Sequence, residues 1–180
     1  MGFTLSEVFA CDPDEDALRL IREFASMVKW WAERAGGFRG KSYGALRKEN
    51  YRAWVERWPN HHSQLLHTSA ITAYSLLKLS KKPEDRPKSV NLNLPYAVLH
   101  PKMLMLEGDR VRISVMRGGY AYVKLLPNSL HQKRLLQQAE AGFWRLGQAI
   151  LTRSWIAISF TVDKLDEATL KRVEKMSKPT

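Results

Sequence analysis

Three histidines, His61, His62 and His67, are the residues whose types and spacing first suggest chemistry. Two imidazoles bind one metal from a single helix face when they lie four positions apart, and no pair among these three has that spacing. No acid or cysteine lies between them either. We therefore predict no metal site here and expect these side chains to act as helix caps or polar contacts.

No catalytic constellation is evident elsewhere in the sequence. Cys11 is the single cysteine, so no disulfide can form within the chain, and no histidine lies near it in sequence. Two-metal phosphodiester cleavage needs several carboxylates at one point, whereas the 18 acids fall mostly in helix caps, turns and surface faces. We predict a protein that is not an enzyme and has no cofactor, metal or catalytic residue.

The segment from Met103 to Leu126 predicts its own strand register. Gly108-Asp109 fits a two-residue turn, and Arg117-Gly118-Gly119 fits a three-residue loop with glycine in the left-handed position. One face of the resulting three-stranded meander is wholly apolar. The predicted opposite pairs are Leu106 with Val111, Leu104 with Ile113, Val115 with Ala121, Ile113 with Val123, and Val111 with Leu125.

The other face of this meander carries Met105, Arg112 and Lys124 side by side. Like charges directly opposite each other on neighbouring strands are destabilising. An anionic ligand would relieve that repulsion, so the pair predicts an anion-binding surface. The alternative is that both are long, solvated side chains that splay apart on an exposed face.

The net charge of +11 is concentrated in the middle of the chain. Residues 1–35 carry −3, residues 36–134 carry +12 and residues 135–180 carry +2. A positive field of this size attracts polyanions through counterion release, which favours nucleic acid over a membrane surface as partner. No apolar run approaches a membrane span and no signal peptide is evident, so we predict a cytoplasmic protein without a membrane partner.

The first 80 residues predict a strand followed by three helices. The strand covers residues 3–9, and Asp12 as N-cap with Pro13 begins a helix to about Ala35. Ser42 caps a second helix that Pro59 ends, and a third runs from about Asn60 to Ser80. The first helix has an apolar stripe of Leu20, Phe24, Met27, Val28 and Trp31. Trp30 points elsewhere and either extends the buried stripe or stacks on a base, and we favour burial.

The two helices around Trp58-Pro59-Asn60 resemble a helix-turn-helix, although any helical hairpin has this form. Small polar residues on the third helix would read base edges, or would simply face solvent. They are Ser63, Gln64, Thr68, Ser69 and Thr72.

Beyond a proline-rich linker at 83–87 the hydrophobic period changes from 3.6 to 2. Residues 89–94 alternate strictly and predict a strand before the meander. Ser129 could cap a short helix within the ambiguous segment 128–141. A hairpin of residues 144–151 and 155–162 then sets Ile150 against Ile156, Leu146 against Phe160 and Trp144 against Val162, and Asp166 caps a last helix. The predicted fold class is α+β.

The order and wording of these segments resemble the N-terminal half of TnpB-type, or OrfB-type, transposon-encoded RNA-guided nucleases. The resemblance covers residues 3–163 and is most specific in SVNLNL, in MLMLEGDRVRISV…YAYVKLL and in ILTRSWIAISFTVD. It implies a small wedge or OB-like β-barrel interrupted by a helical recognition block. The implied divisions are a barrel at 1–11 and 88–163, an inserted helical domain at 12–82, the linker at 83–87, and a C-terminal helix and tail at 164–180.

This chain departs from the family where a RuvC-like nuclease fold should follow the closing hairpin. After Asp163 the sequence continues as KLDEATLKRVEKMSKPT, without the carboxylate motifs that bind catalytic metal ions in that family. The resemblance therefore implies a nucleic-acid-binding remnant, a domesticated subunit, or half of a split effector that works with a separate protein.

We predict that the protein binds structured RNA or an RNA/DNA hybrid mainly through phosphates, with Trp30 or Tyr122 stacking on bases. The alternatives are a helix-turn-helix regulator of duplex DNA and a structural protein–protein interaction subunit. The predicted phosphate contacts are Arg39, Lys41, Arg47, Lys48, Arg52, Lys78, Lys81, Lys82, Arg112 and Lys124.

Overall fold

A computed structural model describes residues 3–34, 42–78, 93–162 and position 175. It shows an α+β protein, which confirms the predicted class. A 3₁₀ helix, Pro101–Met103, joins the second strand to the third. The elements in chain order are β1 (Phe3–Pro13), α1 (Glu15–Arg34), α2 (Tyr43–Arg57), α3 (Ser63–Lys78), β2 (Ala97–Leu99), β3 (Leu104–Glu107), β4 (Arg110–Met116), β5 (Gly119–Leu126), α4 (Leu130–Glu140), β6 (Arg145–Leu151) and β7 (Trp155–Val162).

The described strands form one curled antiparallel sheet in the order β2-β6-β7-β1-β5-β4-β3. The first strand of the chain lies at its centre, because β1 pairs with β7 on one side and with β5 on the other. The N-terminal strand therefore joins the closing hairpin to the meander. None of the helices in the described ranges is long and apolar enough to cross a membrane.

The strand β1 extends further than predicted and moves the start of α1. Residues 10–13 pair with β5, so Asp12 and Pro13 belong to the strand. The predicted cap at Asp12 is wrong, and Asp14 occupies that position: its Oδ1 accepts a hydrogen bond of 2.8 Å from the backbone N–H of Ala17. Its Oδ2 accepts another of 3.1 Å from the N–H of Tyr122, which ties the helix start to β5.

The register of the first hairpin of the meander is confirmed, with Leu104 opposite Ile113 and Leu106 opposite Val111. The register of the second hairpin is wrong by two positions, because Ile113 lies opposite Ala121 and Val111 opposite Val123. The turn contains only Arg117 and Gly118, with Gly118 at φ 71°, and the register shifts between Ser114 and Met116. The face predicted to be apolar is nevertheless buried, because a shift of two keeps every side chain on its own side of the sheet.

The helices α1 and α3 pack against the sheet and share a core with it. The predicted stripe of α1 is fully or almost fully buried, from Leu20 to Trp31. One continuous apolar cluster contains this stripe, Leu66 of α3 and inward residues of the sheet such as Val123 and Phe160. The predicted division between a helical domain and a barrel remains a prediction, and the described helices do not enclose a separate main core.

The boundaries of α2 agree with the sequence: Ser42 accepts from the N–H of Ala45, and the helix ends at Arg57 before Pro59. Ser129 caps α4 by accepting from the N–H of Gln132, which resolves the ambiguous segment in favour of a helix. Of the strand predicted at 89–94, only Asn93 and Leu94 are described, and they are not in a strand. The strand β2 follows at Ala97–Leu99 instead.

The closing hairpin has the predicted pair Leu146 with Phe160. An irregularity between Leu146 and Ala149 then displaces the rest by one residue, so that Ile150 opposes Ala157 rather than Ile156. Trp144 lies just before β6 and donates its Nε1–H to Gln138 of α4 over 3.0 Å. The predicted linker at 83–87 and the predicted last helix, apart from the helical position 175, fall outside the described ranges.

Candidate nucleic-acid interface

The predicted phosphate contacts fall into separate groups. Lys48 and Arg52 lie one turn apart on the exposed side of α2, and no described carboxylate forms an ion pair with either. Lys78 is the last residue of α3. Arg112 and Lys124 lie on the outer face of the sheet. The cations that lie outside the described residues are Arg39, Lys41, Lys81 and Lys82.

The outer sheet face has a different charge arrangement from the predicted one, but two cations still lie directly opposite each other. Arg112 lies opposite Tyr122, and Lys124 lies opposite Arg110. Glu107 pairs with the guanidinium of Arg112 over 3.1 Å and with that of Arg110 over 3.0 Å. A carboxylate of the chain itself therefore offsets part of the positive charge from which we inferred an external anion.

Two tyrosines on this face contact the arginines. The sequence identified Tyr122 as a possible stacking residue, but it did not identify Tyr120. The guanidinium of Arg110 lies 4.3 Å from the centre of the Tyr122 ring, and that of Arg112 lies 4.6 Å from the Tyr120 ring. Cation–π contact therefore holds each arginine over one ring face. Tyr120 is 45% exposed, and the alternation of Tyr120 with Tyr122 on one strand face was the sequence signal for it.

Trp30, the other predicted stacking residue, is half-buried. Its ring meets Trp31 and Trp58 edge to face, at centroid distances of 5.1 and 5.7 Å. The guanidinium of Arg34 lies 4.5 Å from its centre. These contacts account for Trp30 as a packing residue, which agrees with the burial that the sequence favoured.

The helix-turn-helix interpretation is not supported by the surroundings of α3. Thr68, Ser69 and Thr72 are buried, with Ser69 at 0% exposure, so they do not face outward to read base edges in the groove of a DNA duplex. Ser69 donates its hydroxyl to the carbonyl of Leu66, and Thr72 donates to that of Thr68. The predicted recognition helix packs against α1 and β2, and these small residues permit that close packing.

A basic cluster that the sequence did not identify forms where α2, α3 and the end of β2 meet. We define the histidine cluster as Arg47, His62, His67, His100 and Lys102. The Nδ1 of His67 lies 2.9 Å from the Tyr43 hydroxyl and 3.4 Å from an Arg47 nitrogen, and the rings of His67 and His100 are 6.5 Å apart. His100 lies far from the others in sequence, so only the fold reveals the group.

Each histidine of this cluster is held in one neutral form. Nδ1 of His62 accepts the N–H of Gln64, and Nδ1 of His100 accepts the N–H of Lys102. Backbone N–H groups and guanidinium groups only donate, so the contact with Arg47 likewise requires Nδ1 of His67 to accept. Each ring therefore carries its proton on Nε2.

The electrostatics of the cluster favour the same form. Burial lowers the pKa of His67, and the charges of Arg47 and His100 lower it further. Burial followed by Lys102 lowers the pKa of His100, and burial, His100 and Lys102 lower that of His62. None of these causes is a carboxylate, so the cluster presents Nε2–H donors and two cations.

His61, the remaining histidine of the sequence motif, contacts α1. Its Nε2 lies 2.7 Å from a carboxylate oxygen of Glu23 on α1. It lines a cleft of about 350 Å³ together with Tyr51 of α2 and Arg117 of the β4–β5 turn. The expectation that the three motif histidines cap helices or make polar contacts is confirmed. Within the described ranges, no three histidine, cysteine or acidic side chains are grouped to hold a metal.

Comparison with known proteins identifies a relative in an archaeon. No family model matches the chain. The uncharacterized protein MJ0752 of Methanocaldococcus jannaschii is 34% identical over 62 residues, which are 34% of this chain and 82% of the archaeal protein. The chain belongs to the same family as this archaeal protein. The name of that relative records no activity, so the relationship assigns none to this chain.

Proposed function

We propose that this chain is a non-catalytic protein of the cell interior that binds structured RNA or an RNA/DNA hybrid through phosphate contacts. The observation that carries the proposal is the group of cations on and beside α2. Arg47, Lys48, Arg52 and Lys102 form no ion pair with a described carboxylate, in contrast to the arginines of the outer sheet face. Cations that no described carboxylate neutralises are available to release counterions from a phosphate backbone.

The resemblance to the N-terminal half of TnpB-type nucleases supports the same ligand class. The sheet joins the first strand to residues 97–162, in the chain order that a wedge domain would require. We propose on this basis that the sheet corresponds to the wedge or OB-like barrel and that α1 to α3 correspond to the helical recognition block. A separate protein that completes the effector belongs to this proposal.

The test is a salt titration of binding to labelled nucleic acids, measured by fluorescence anisotropy. An RNA hairpin, an RNA/DNA hybrid and a DNA duplex of matched sequence are compared. We expect log Kobs to fall linearly with log salt concentration for the RNA-containing ligands, with a weaker affinity for the DNA duplex. Preference for one DNA duplex over both RNA ligands would instead indicate a duplex-DNA regulator.

Double charge reversals locate the surface. Lys48→Glu with Arg52→Glu is expected to weaken RNA binding about tenfold or more and to make the salt slope shallower by about 2. The matched control is Lys133→Glu with Arg153→Glu, which changes the net charge equally at exposed positions of α4 and the β6–β7 loop. Arg112→Glu with Lys124→Glu is expected to weaken binding less, because Glu107 already pairs with Arg112. Equal losses in all three variants would refute a binding surface on α2.

A specific observation favours the interaction subunit as a second candidate. Apolar side chains continue across the outer face of the sheet from β2 to β5, including Trp155 at 40% and Leu126 at 44% exposure. Their registers place Val98, Ile150, Ala157 and Val8 in one row, and Trp155, Ala10 and Leu126 in the next. Exposed apolar surface of this kind is typical of contacts between proteins. RNA binding that is absent at every salt concentration would favour this candidate.

A further inference from the structure

A groove of about 470 Å³ separates α3 from the outer face of β2, β6 and β7. Its sheet side is formed by Tyr96, Val98, Ile150 and Trp155, and its helix side includes Ile71. Most of these side chains are apolar, and two are aromatic. The volume and the lining suit a flat organic group with apolar faces.

The groove also contains polar groups that an apolar ligand would leave unpaired. Thr68 lines it at 5% exposure, and within the described part of the chain its hydroxyl has no hydrogen-bond partner. His67, His100 and Gln148 line the groove as well, and both histidines carry their proton on Nε2. A ligand with acceptors on its edge would satisfy donors that hydrocarbon cannot.

One end of the groove is positively charged. His67 and His100 lie there and belong to the histidine cluster, which places Arg47 and Lys102 beside the groove. No described carboxylate forms an ion pair with Arg47 or Lys102. The groove therefore combines an apolar, partly aromatic slot with a cationic end.

We propose that this groove is a nucleotide site, in which a nucleobase lies between α3 and the outer sheet face while its phosphate contacts Arg47 and Lys102. The inference rests on the proposed function, which names nucleic acid as the ligand class. It adds a defined pocket for a base to the surface proposed to bind phosphates. A base supplies flat apolar faces and an edge of acceptors, and the phosphate matches the cations. The nucleotide is either free or an unstacked base of an RNA chain.

The test measures binding of AMP, GMP, CMP and UMP, and of the corresponding nucleosides, by isothermal titration calorimetry. We expect at least one nucleotide to bind with a Kd of about 1 mM or tighter, and its nucleoside to bind about tenfold more weakly. Val98→Glu puts a carboxylate on the groove floor, and Val8→Glu puts one on the same sheet face outside the groove. Arg47→Glu is matched by Lys133→Glu, which makes the same charge change at an exposed position of α4. The groove variants should lower nucleotide affinity about tenfold or more, and the controls should change it less than about twofold.

The outcomes separate this inference from the proposed function. RNA binding by the wild type without nucleotide binding, or equal effects of Arg47→Glu and Lys133→Glu on nucleotides, overturns the nucleotide site and leaves RNA binding in place. An apolar fluorescent probe that binds the groove and is not displaced by nucleotides would overturn it in favour of a protein-docking groove. Competition between a single-stranded RNA hexamer and the bound nucleotide identifies the ligand as a base of RNA, whereas simultaneous binding identifies it as a free nucleotide. Because Arg47 is exposed, its reversal stays informative if Val98→Glu destabilises the fold.

Discussion

At the scale of single residues, the histidine cluster depends on which ring nitrogen is occupied. Protonating Nδ1 of His62, His67 or His100 breaks the hydrogen bond that this nitrogen accepts. The unfolded chain has no such cost, so its histidines bind protons near pH 6.5. Because the folded pKa values lie lower, the unfolded state holds more protons between the two values, and the free energy of unfolding rises with pH in that window.

We therefore expect the stability contribution of this cluster to be fully present above about pH 6.5 and to be lost as pH falls through the lowered pKa values. Urea unfolding followed by circular dichroism at several pH values between 7.5 and 5 measures it. His67→Gln should reduce the dependence on pH, because it removes one of the three lowered pKa values. A wild-type stability that is flat or rises as pH falls from 7.5 would contradict the assignment of Nδ1 as acceptor.

Residue-scale inference from sequence succeeded where the determining contacts are local. Ser42 and Ser129 cap helices that begin within three residues of them, and both caps follow from sequence. The residues after Asp12 also fit an N-cap motif. However, residues 10–13 pair with β5, more than 100 positions away, so Asp12 stays in a strand and Asp14 caps the helix. The same limit hid the histidine cluster, because His100 reaches it only through the fold.

At the scale of elements, two glycines differ in whether the fold leaves room for a side chain. A Cβ added to Gly147 of β6 would lie 3.0 Å from Cβ of Ser159 and 3.3 Å from its backbone oxygen. A Cβ added to Gly44 of α2 would meet nothing within 4 Å. We expect Gly147→Ala to lower the free energy of unfolding by about 1–3 kcal/mol through overpacking. Gly44→Ala should raise it by up to about 1 kcal/mol, because alanine has the higher helix propensity. Urea denaturation of both variants measures the difference, and a neutral Gly147→Ala would show that β6 and β7 can separate locally at no cost.

Strand registers show the same limit at the element scale. Gly108 sits in a tight two-residue turn, so the register between β3 and β4 follows from the turn. The β4–β5 hairpin also has a glycine turn, but its register shifts near Met116, where the α2–α3 turn docks: Met116 bridges to His61, and the N–H of His62 donates to the carbonyl of Val115. The irregularity therefore lies where a distant segment contacts the hairpin. The sequence of the hairpin alone does not encode that contact, so it could not predict the shift in register.

At the scale of the whole molecule, the sequence identified the class of fold and the excess of positive charge, but not where that charge acts. The sequence predicted that Arg112 and Lys124 lie opposite each other as unpaired cations. In the fold Arg112 pairs with Glu107 and lies opposite Tyr122, and the cations without a described carboxylate partner on which the proposal rests lie on α2 and at the end of β2. Pairing between distant charges is a property of the folded chain, so charge counts along the sequence could suggest a polyanionic partner without locating its surface.

The shared core of sheet and helices decides how the molecule should unfold. The stripe of α1, Leu66 of α3 and Val123 of β5 belong to one continuous cluster, so removing the helices would expose the buried face of the sheet. We expect a single cooperative thermal transition with the same midpoint by far-ultraviolet circular dichroism and by tryptophan fluorescence. Leu66→Ala and Val123→Ala should each lower that one midpoint, because either change leaves a cavity in the common core. If Leu66→Ala instead split off an earlier transition while the sheet melted at its original temperature, the helical block would be an independent domain, as the resemblance to an inserted recognition domain implies.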